Sequence, residues 1–374
     1  MLDPRAESAF VPMLSGLLAG MALVATGLGQ IQVGAATEQP PVIRQASDIT
    51  LDLLQRVMRE TPFQARQVRR FLQPDDSMVG VIEDLACNGD PAQPRFDIEF
   101  VAVEGATPAP QATSQWGSTY ATNGSLLHEH GGFRVRDLRA ARSHYSLSHF
   151  GRAMRGGQPV WWVVIAPNSR DKASWVLALD EQSALPVYQA QVDPRGRLLG
   201  EIDVRQLTLA ISPQASWWTP VMSVSRFATA EAARVAMAAP QARGSVAGLL
   251  VPAIDQVMPE YSLHLAQVTA DPANGQQTLV LGYTDGIDEF FVLQSPGVTD
   301  PFAGLPVGAG RTSGKTRGPI RSDREMAIAR YDDTSLRVYL FQRNNVLVRI
   351  AGNGSLVRLD NVARRLAQQA VNGV

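Results

Sequence analysis

Hydrophobic and polar residues alternate along the centre of the chain, between residues 161 and 211. In the segment YQAQV, Tyr188, Ala190 and Val192 fall on one side and the polar residues on the other, and the segment GEIDVR alternates in the same way. Between the two segments, Asp193-Pro-Arg-Gly196 has Asp, Pro and Gly at the positions that favour a type I turn. This period of two predicts a meander of antiparallel strands with one apolar and one wet face. The apolar face then has to be covered.

The segment before the meander has the pattern of one helix and several strands. An apolar stripe over residues 49–58, preceded by Ser47 or Asp48 and ended by Pro62, predicts a helix. Residues 105–124 are rich in small residues and Pro and are expected to form a loop. Strands are expected at 66–72, 78–86, 95–104, 125–137 and 144–150.

Hairpin signals beyond the meander predict a second, smaller α+β domain. The strands Thr278–Gly282 and Glu289–Gln294 flank a turn with an Asp-Gly step, which is a strong hairpin signal. Two strands around residue 344 and a final helix capped by Asp360 complete it. The expected organisation is an N-terminal segment with a spacer (1–46), a first domain (47–227), an Ala-rich linker (228–243) and a second domain (244–374).

The run from Ala9 to Gly29 carries no charge and reaches the length of about 20 residues that spans a bilayer. It is interpreted as an uncleaved membrane anchor. The alternatives are a secretory signal cut after Val33-Gly34-Ala35, and a buried core helix. The anchor and the signal both export residues 40–374, so we expect an extracytoplasmic protein, anchored to the inner membrane by residues 9–29.

Composition narrows the function classes. The chain has 374 residues, 45% of them hydrophobic and 18% charged, which is typical of a folded body large enough for two domains. Its net charge of −1 gives it no reason to seek nucleic acid. Cys87 is the only cysteine and cannot form an internal disulfide, so we expect a buried thiol.

No constellation for catalysis or for a cofactor emerges from the motifs. Residues 309–316 match a loose phosphate-loop pattern, but Pro319 follows too soon for the helix that such a loop needs. His128 and His130 supply two of the three or four ligands that zinc requires, and no nucleophile elbow occurs. We therefore expect a protein that is not an enzyme and binds no metal or cofactor.

The loop expected at residues 296–324 is basic. Its cations are candidates for contact with an acidic partner segment or with anionic lipid headgroups, and the alternative is a solvated loop. The candidate contact residues are Arg311, Lys315, Arg317 and Arg321.

Three segments together resemble the RseB/MucB regulators of the sigma-E envelope-stress pathway, whose N-terminal domain is similar to the lipoprotein carriers LolA and LolB. The first is Tyr145-Ser-Leu through Gly151, followed by Val160-Trp-Trp-Val-Val-Ile-Ala-Pro167. The second combines Leu177-Ala-Leu-Asp180, Leu185-Pro186 and Asp193-Pro-Arg-Gly196. The third is Leu281-Gly-Tyr-Thr-Asp-Gly286 with Phe291-Val292.

The resemblance implies an α+β fold in which an antiparallel half-open β-barrel, with a helix across its mouth, is followed by the smaller domain. Such a barrel accepts acyl chains, and the second domain of that family holds a membrane-bound anti-sigma factor. The chain is then a regulatory protein that senses a lipid or lipoprotein. The alternatives are a lipid carrier without a regulatory partner and a structural envelope protein with a closed core. The side chains expected to line the groove, rather than serve as ordinary core aromatics, are Trp161, Trp162, Trp175 and Tyr188.

Overall fold

The structure is a computed structural model. It describes residues 42–72, 77–90, 96–105, 131–209, 223–237, 249, 251–252, 254, 258–270, 275, 277–296, 320–323, 326–333, 336–343, 346–352 and 359–366. Within these residues, no helix combines the length and the apolar character needed to cross a membrane. The apolar run 9–29, predicted to be an anchor, lies outside them.

The first part of the chain forms an eight-stranded sheet within the described residues. Its strands are β1 (Phe63–Leu72), β2 (Met78–Cys87), β3 (Phe96–Val103), β4 (Tyr145–Arg155), β5 (Gln158–Pro167), β6 (Ser174–Asp180), β7 (Pro186–Val192) and β8 (Leu198–Leu209).

The strand order in this sheet is β3-β2-β1-β8-β7-β6-β5-β4. The pairs from β1 through β8 to β4 are antiparallel, and β1 returns to β8 with Phe63 opposite Leu209. Strands β3 and β4 lie at the two ends of this order, and the described residues do not pair them with each other. The sheet is therefore open, as predicted for a half-open barrel.

Helix α1 (Leu51–Glu60) precedes β1 and begins where Thr50 accepts a hydrogen bond from the backbone N–H of Leu53 at 3.1 Å. A side-chain oxygen at the N-cap satisfies one of the free N–H groups of the first turn. Ser47 and Asp48, one of which was predicted to precede the helix directly, instead belong to a short 3-10 turn, Ala46–Asp48, so the helix starts later than predicted. Its apolar stripe is buried, with Leu54 0% exposed.

The meander forms as predicted, but the expectation of one wet face is wrong. Gly196 donates its backbone N–H to Asp193 O in the predicted turn. On β7 both faces are covered, since Ala190 and Gln191 are both buried. Alternation reports which residues are polar, whereas burial depends on what packs against each face.

Two further expectations about local structure are wrong. The described part of the strand expected at 125–137, residues 131–137, is not a strand, and residues 138–144 form helix α2 (Leu138–His144) directly before β4. Residues Ile320–Asp323 form a strand inside the predicted basic loop.

The second part of the chain also forms an eight-stranded sheet within the described residues. Helix α3 (Ala230–Met237) and helix α4 (359–366) belong to the same part. The strands are β9 (Ser223–Arg226), β10 (Ser262–Ala270), β11 (Gln277–Thr284), β12 (Glu289–Pro296), β13 (Ile320–Asp323), β14 (Met326–Asp333), β15 (Leu336–Arg343) and β16 (Val346–Gly352).

Side chains of α3 and α4 share one hydrophobic core with this second sheet, whose strand order is β13-β14-β15-β16-β12-β11-β10-β9. Met237 and Val362 belong to this core together with Leu281 and Ile350. The predicted hairpin joins β11 to β12. Asp360 lies inside the first turn of α4, paired with Arg364, rather than before it as a cap.

The chain divides into two compact units. The first consists of Met1–Phe71, Val79–Thr107 and Tyr145–Ala215, and the second of Leu72–Met78, Pro108–His144 and Ser216–Val374. Helix α3, in the segment expected to be a linker, packs in the core of the second unit. The predicted fold class, an α+β chain with an antiparallel half-open barrel and a helix followed by a second α+β part, is confirmed.

Candidate functional site

The four aromatic residues expected to line a groove lie on opposite faces of the first sheet. Trp162 is paired with Ala178, which is paired with Tyr188, so these side chains share one face. Trp161 is paired with Leu179, and Trp175 lies four residues before Leu179 on the same strand. Alternation along a strand therefore places Trp161 and Trp175 on the other face.

The face that carries Trp162 and Tyr188 is the centre of a hydrophobic cluster. The two rings lie 5.7 Å apart in a tilted arrangement, which is favourable for aromatic pairs. Tyr188 is buried, whereas Trp162 is half-buried at the margin of the cluster. The cluster's other buried members on strands β1, β2, β5, β6 and β8 include Phe63, Leu85, Val164, Val176 and Leu207.

The guanidinium of Arg155, the last residue of β4, lies over the rings of this aromatic pair. Its guanidinium carbon lies 4.4 Å from the centre of the Tyr188 ring and 6.0 Å from that of Trp162. A guanidinium over an aromatic face is attracted by the ring's quadrupole. Its Nη2 donates to Asp203 Oδ1 at 2.5 Å, and both side chains are buried.

A charged network extends from this point along β8 and β1. The hydroxyl of Tyr188 donates to Glu201 Oε2 at 2.5 Å, and the guanidinium of Arg70 pairs with Glu201 and with Glu104. Arg205 completes the network by pairing with Asp203 at 3.0 Å. Three arginines thus meet three carboxylates beside the apolar cluster.

The environment of this network shifts the proton affinity of two of its members. Burial raises the pKa of Tyr188 above its ordinary value, and the nearby carboxylate of Glu201 adds to that effect. The hydrogen bonds donated by Arg70 lower the pKa of Glu104. Tyr188 therefore stays a neutral donor and Glu104 stays an anion near neutral pH.

The arrangement is a buried apolar cluster, with Trp162 at its margin, that ends in a polar, charge-balanced border. Such a pairing is suited to an amphiphile, because the apolar part of a ligand loses contact with water while its polar end finds hydrogen-bonding groups. The sequence did not single out Arg70, Arg155, Glu201 or Asp203. Nothing in the local pattern marks them, because Arg70 and Glu201 are 131 positions apart and meet only through the β1–β8 pairing.

A buried ion pair joins strands β1 and β2. Arg69 and Glu83 are 2% and 0% exposed as side chains, and their charged atoms approach to 2.8 Å. Gln67 donates a further hydrogen bond to Glu83 at 2.5 Å. On the face opposite Trp162, Trp175 is 8% exposed and is therefore part of the interior of the unit.

In the second unit, the Asp-Gly hairpin noted in the sequence is covered by the chain's own residues 136–144. Gly286 has a φ of +111° and accepts hydrogen bonds through its carbonyl from the N–H groups of Arg136 and Asp137, at 2.8 and 3.3 Å. Arg136 also forms an ion pair with Glu289. The motif therefore serves to pack the hairpin against residues 136–144 within the second unit.

The structure describes only some of the remaining candidate residues. Three of the basic candidates lie outside the described residues: Arg311, Lys315 and Arg317. The fourth, Arg321, is a residue of strand β13. His128 and His130 also lie outside. In the part of the chain that the structure describes, no three His, Cys, Asp or Glu side chains are placed to hold a metal ion.

Comparison with known proteins gives similarities of structure alone, since no family model and no curated protein matches the chain. The crystal structure of MucB in complex with MucA(peri) is 17% identical, with 85% of this chain and 97% of that chain covered and a TM-score of 0.45. The Pseudomonas aeruginosa MucA/MucB complex is also 17% identical, with 84% and 95% covered and a TM-score of 0.43. A putative outer membrane lipoprotein-sorting protein domain from Vibrio parahaemolyticus is 10% identical, with 44% and 96% covered and a TM-score of 0.22. Structures of MucB are thus among the solved structures to which the chain is similar over most of its length.

Proposed function

We propose that this chain is an extracytoplasmic binding and regulatory protein. Its first unit binds the acyl chain of a lipid or lipoprotein on the face of Trp162 and Tyr188. Its second unit holds the extracytoplasmic segment of a membrane protein, such as an anti-sigma factor. The protein performs no chemical reaction of its own.

The observation that carries the first part is the hydrophobic cluster around Trp162 with its charged border. The large apolar cluster spans several strands of an open sheet, and Trp162 at its margin is half-buried. Each methylene transferred from water to such a surface contributes about 0.8 kcal/mol, so a long acyl chain has enough apolar surface to bind. The border formed by Arg155 and Arg70 supplies donors for a polar or anionic end group.

The second part rests on the resemblance of residues 281–286 and their surroundings to the RseB/MucB regulators. MucB has been solved in complex with MucA(peri), and we extend a partner of that kind to this chain as a proposal. The basic residues Arg311, Lys315, Arg317 and Arg321 are candidates for contact with that partner or with the membrane surface. Anchoring by residues 9–29 to the inner membrane belongs to the same proposal.

Two neighbouring tryptophans provide the test of the ligand site. The full chain is titrated with a fluorescent long-chain fatty acid, alone and as the variants Trp162→Gln and Trp161→Gln. Because only Trp162 lies on the proposed binding face, we expect Trp162→Gln to weaken binding by at least about tenfold, while Trp161→Gln binds like the unmodified chain. Equal losses in both variants, or no saturable uptake by the unmodified chain, would contradict the proposal.

A pull-down from detergent-solubilised envelope tests the partner. The full chain and its Trp162→Gln variant serve as baits, and the retained proteins are identified by mass spectrometry. An anti-sigma factor retained by both baits is the expected result. Uptake of fatty acid without any retained membrane protein would instead support the alternative, a lipid carrier without a regulatory partner.

A further inference from the structure

The first sheet ends in a long strand whose outer edge has no partner among the described residues. Strand β4 (Tyr145–Arg155) pairs with β5 along its whole length, and β4 is the last strand in the order of the sheet. Most of its side chains are exposed. Along an edge strand, alternate backbone N–H and C=O groups point away from the sheet and are available to another extended chain.

Exposed apolar side chains accompany this edge. Met154 is 67% exposed and Phe150 is 40% exposed. A long edge with apolar side chains is prone to association unless a specific partner or a blocking device is present.

Two features of β4 act against pairing with a second copy of itself. The strand contains no acidic residue, so a second copy of it would offer no carboxylate to Arg152. A bulge interrupts the register between His149 and Gly151, and Gly151 has a φ of +112°. Bulges and charges on an edge strand are devices that prevent unspecific edge-to-edge pairing.

The charge of Arg152 is available to an acidic neighbour. Its guanidinium donates two hydrogen bonds to one oxygen of Glu181, at 2.7 and 3.1 Å, and the side chain remains 58% exposed. A guanidinium has five N–H donors in a fixed fork, so several remain for a second carboxylate.

We propose that β4 is a docking edge for an extended segment of another protein in which an acidic and an apolar residue stand two positions apart. The segment adds a strand beside β4 and places, on one face, a carboxylate near Arg152 and an apolar residue against Met154. Main-chain hydrogen bonds supply affinity in this mode of recognition and alternate side chains supply specificity. Arg152 and Met154 do not belong to the hydrophobic cluster of the acyl-binding face, so this proposal stands without the function proposed above.

Hydrogen–deuterium exchange of the full chain tests the edge with a defined probe, a short capped peptide of the repeat Val-Thr-Glu-Thr, which presents Val and Glu on one face. The control peptides replace Glu with Lys, or carry N-methyl groups on one edge to remove the main-chain donors. We expect the Val/Glu peptide to slow exchange in residues 146–155, and neither control to do so at the same concentration.

Surface variants locate the binding. Arg152→Glu and Met154→Lys are expected to weaken the peptide's effect by at least about tenfold. Val235→Lys, at a position 55% exposed on α3 of the second unit, should leave it unchanged. Trp162→Gln should also leave it unchanged, which separates this surface from acyl binding.

Three results would overturn the proposal. One is the absence of protection in residues 146–155 with the Val/Glu peptide. Another is equal protection by the Val/Lys peptide. The third is protection that grows with protein concentration in the absence of peptide, together with a dimer in sedimentation, because the edge would then belong to a second copy of the chain.

Discussion

Replacement of Gly286 by Ala tests why the Asp-Gly hairpin carries a glycine. A Cβ at this position would lie 2.2 Å from the backbone N of Ala141 and 2.8 Å from the carbonyl oxygen of Asp137. These are backbone atoms of α2 and its cap, so they cannot rotate away. The φ of +111° is itself strained for a residue with a Cβ.

The expected cost has two parts. Backbone strain at an unfavourable positive φ costs about 1–3 kcal/mol, and overpacking adds about 1–3 kcal/mol, so the total is about 2–6 kcal/mol. Gly151→Ala is the matched control, because Gly151 has a φ of +112° but nothing within 4 Å of its added Cβ. Only the strain term applies there, and the difference between the two variants measures the clash.

Native-state hydrogen exchange is the appropriate assay, because it reports the free energy of local opening for each segment. Gly286→Ala should lower that free energy in residues 131–144 and 281–289. Gly151→Ala should lower it less, and only around β4 and β5. The explanation is refuted if Gly286→Ala costs no more than Gly151→Ala, or if residues 131–144 keep their protection.

Two further predictions concern the charged groups of the first sheet. Glu83→Gln should lower the free energy of unfolding by about 3–5 kcal/mol in urea unfolding, because it leaves the buried guanidinium of Arg69 without its counter-charge. The double variant Arg69→Met with Glu83→Leu should recover most of that loss. Equal losses in the single and the double variant would contradict this explanation. The lowered pKa of Glu104 predicts stability that is present above the unfolded-state pKa of about 4.3 and is lost as pH falls through the lower pKa of the folded state. Arg70→Met should reduce this acid-dependent part in urea midpoints measured from pH 6 to pH 2, and an unchanged pH profile would show that Arg70 is not its cause.

The strands of the first sheet and helix α1 were predictable from the spacing of their apolar residues, because each element is formed by residues that are adjacent in the sequence. The strand that ends at Cys87 and the turn at Gly196 lie close to their predicted places. Helix α2 was missed because only Ala141 is buried on it, so it has no apolar stripe to detect. The hairpin's contact with Arg136 and Asp137, which donate to the carbonyl of Gly286, is recorded by no local sequence pattern.

The candidate site was predictable only in its aromatic members. The sequence placed four aromatic residues on one groove, whereas the register separates Trp162 and Tyr188 from Trp161 and Trp175. Adjacent tryptophans must lie on opposite faces of a strand, and this much follows from the period of two. The charged border was invisible, because Arg155 and Asp203 come together only after β4 to β8 have assembled.

The most direct test of the central proposal is photolabelling of the full chain with a long-chain fatty acid that carries a diazirine in its acyl chain. Labelled positions are mapped by mass spectrometry with and without excess unlabelled fatty acid. Binding on the proposed face predicts competed labels at Trp162 and at its neighbours Ala178 and Tyr188. Labels on Trp161 and Leu179 instead, or labelling that excess fatty acid does not reduce, would contradict it.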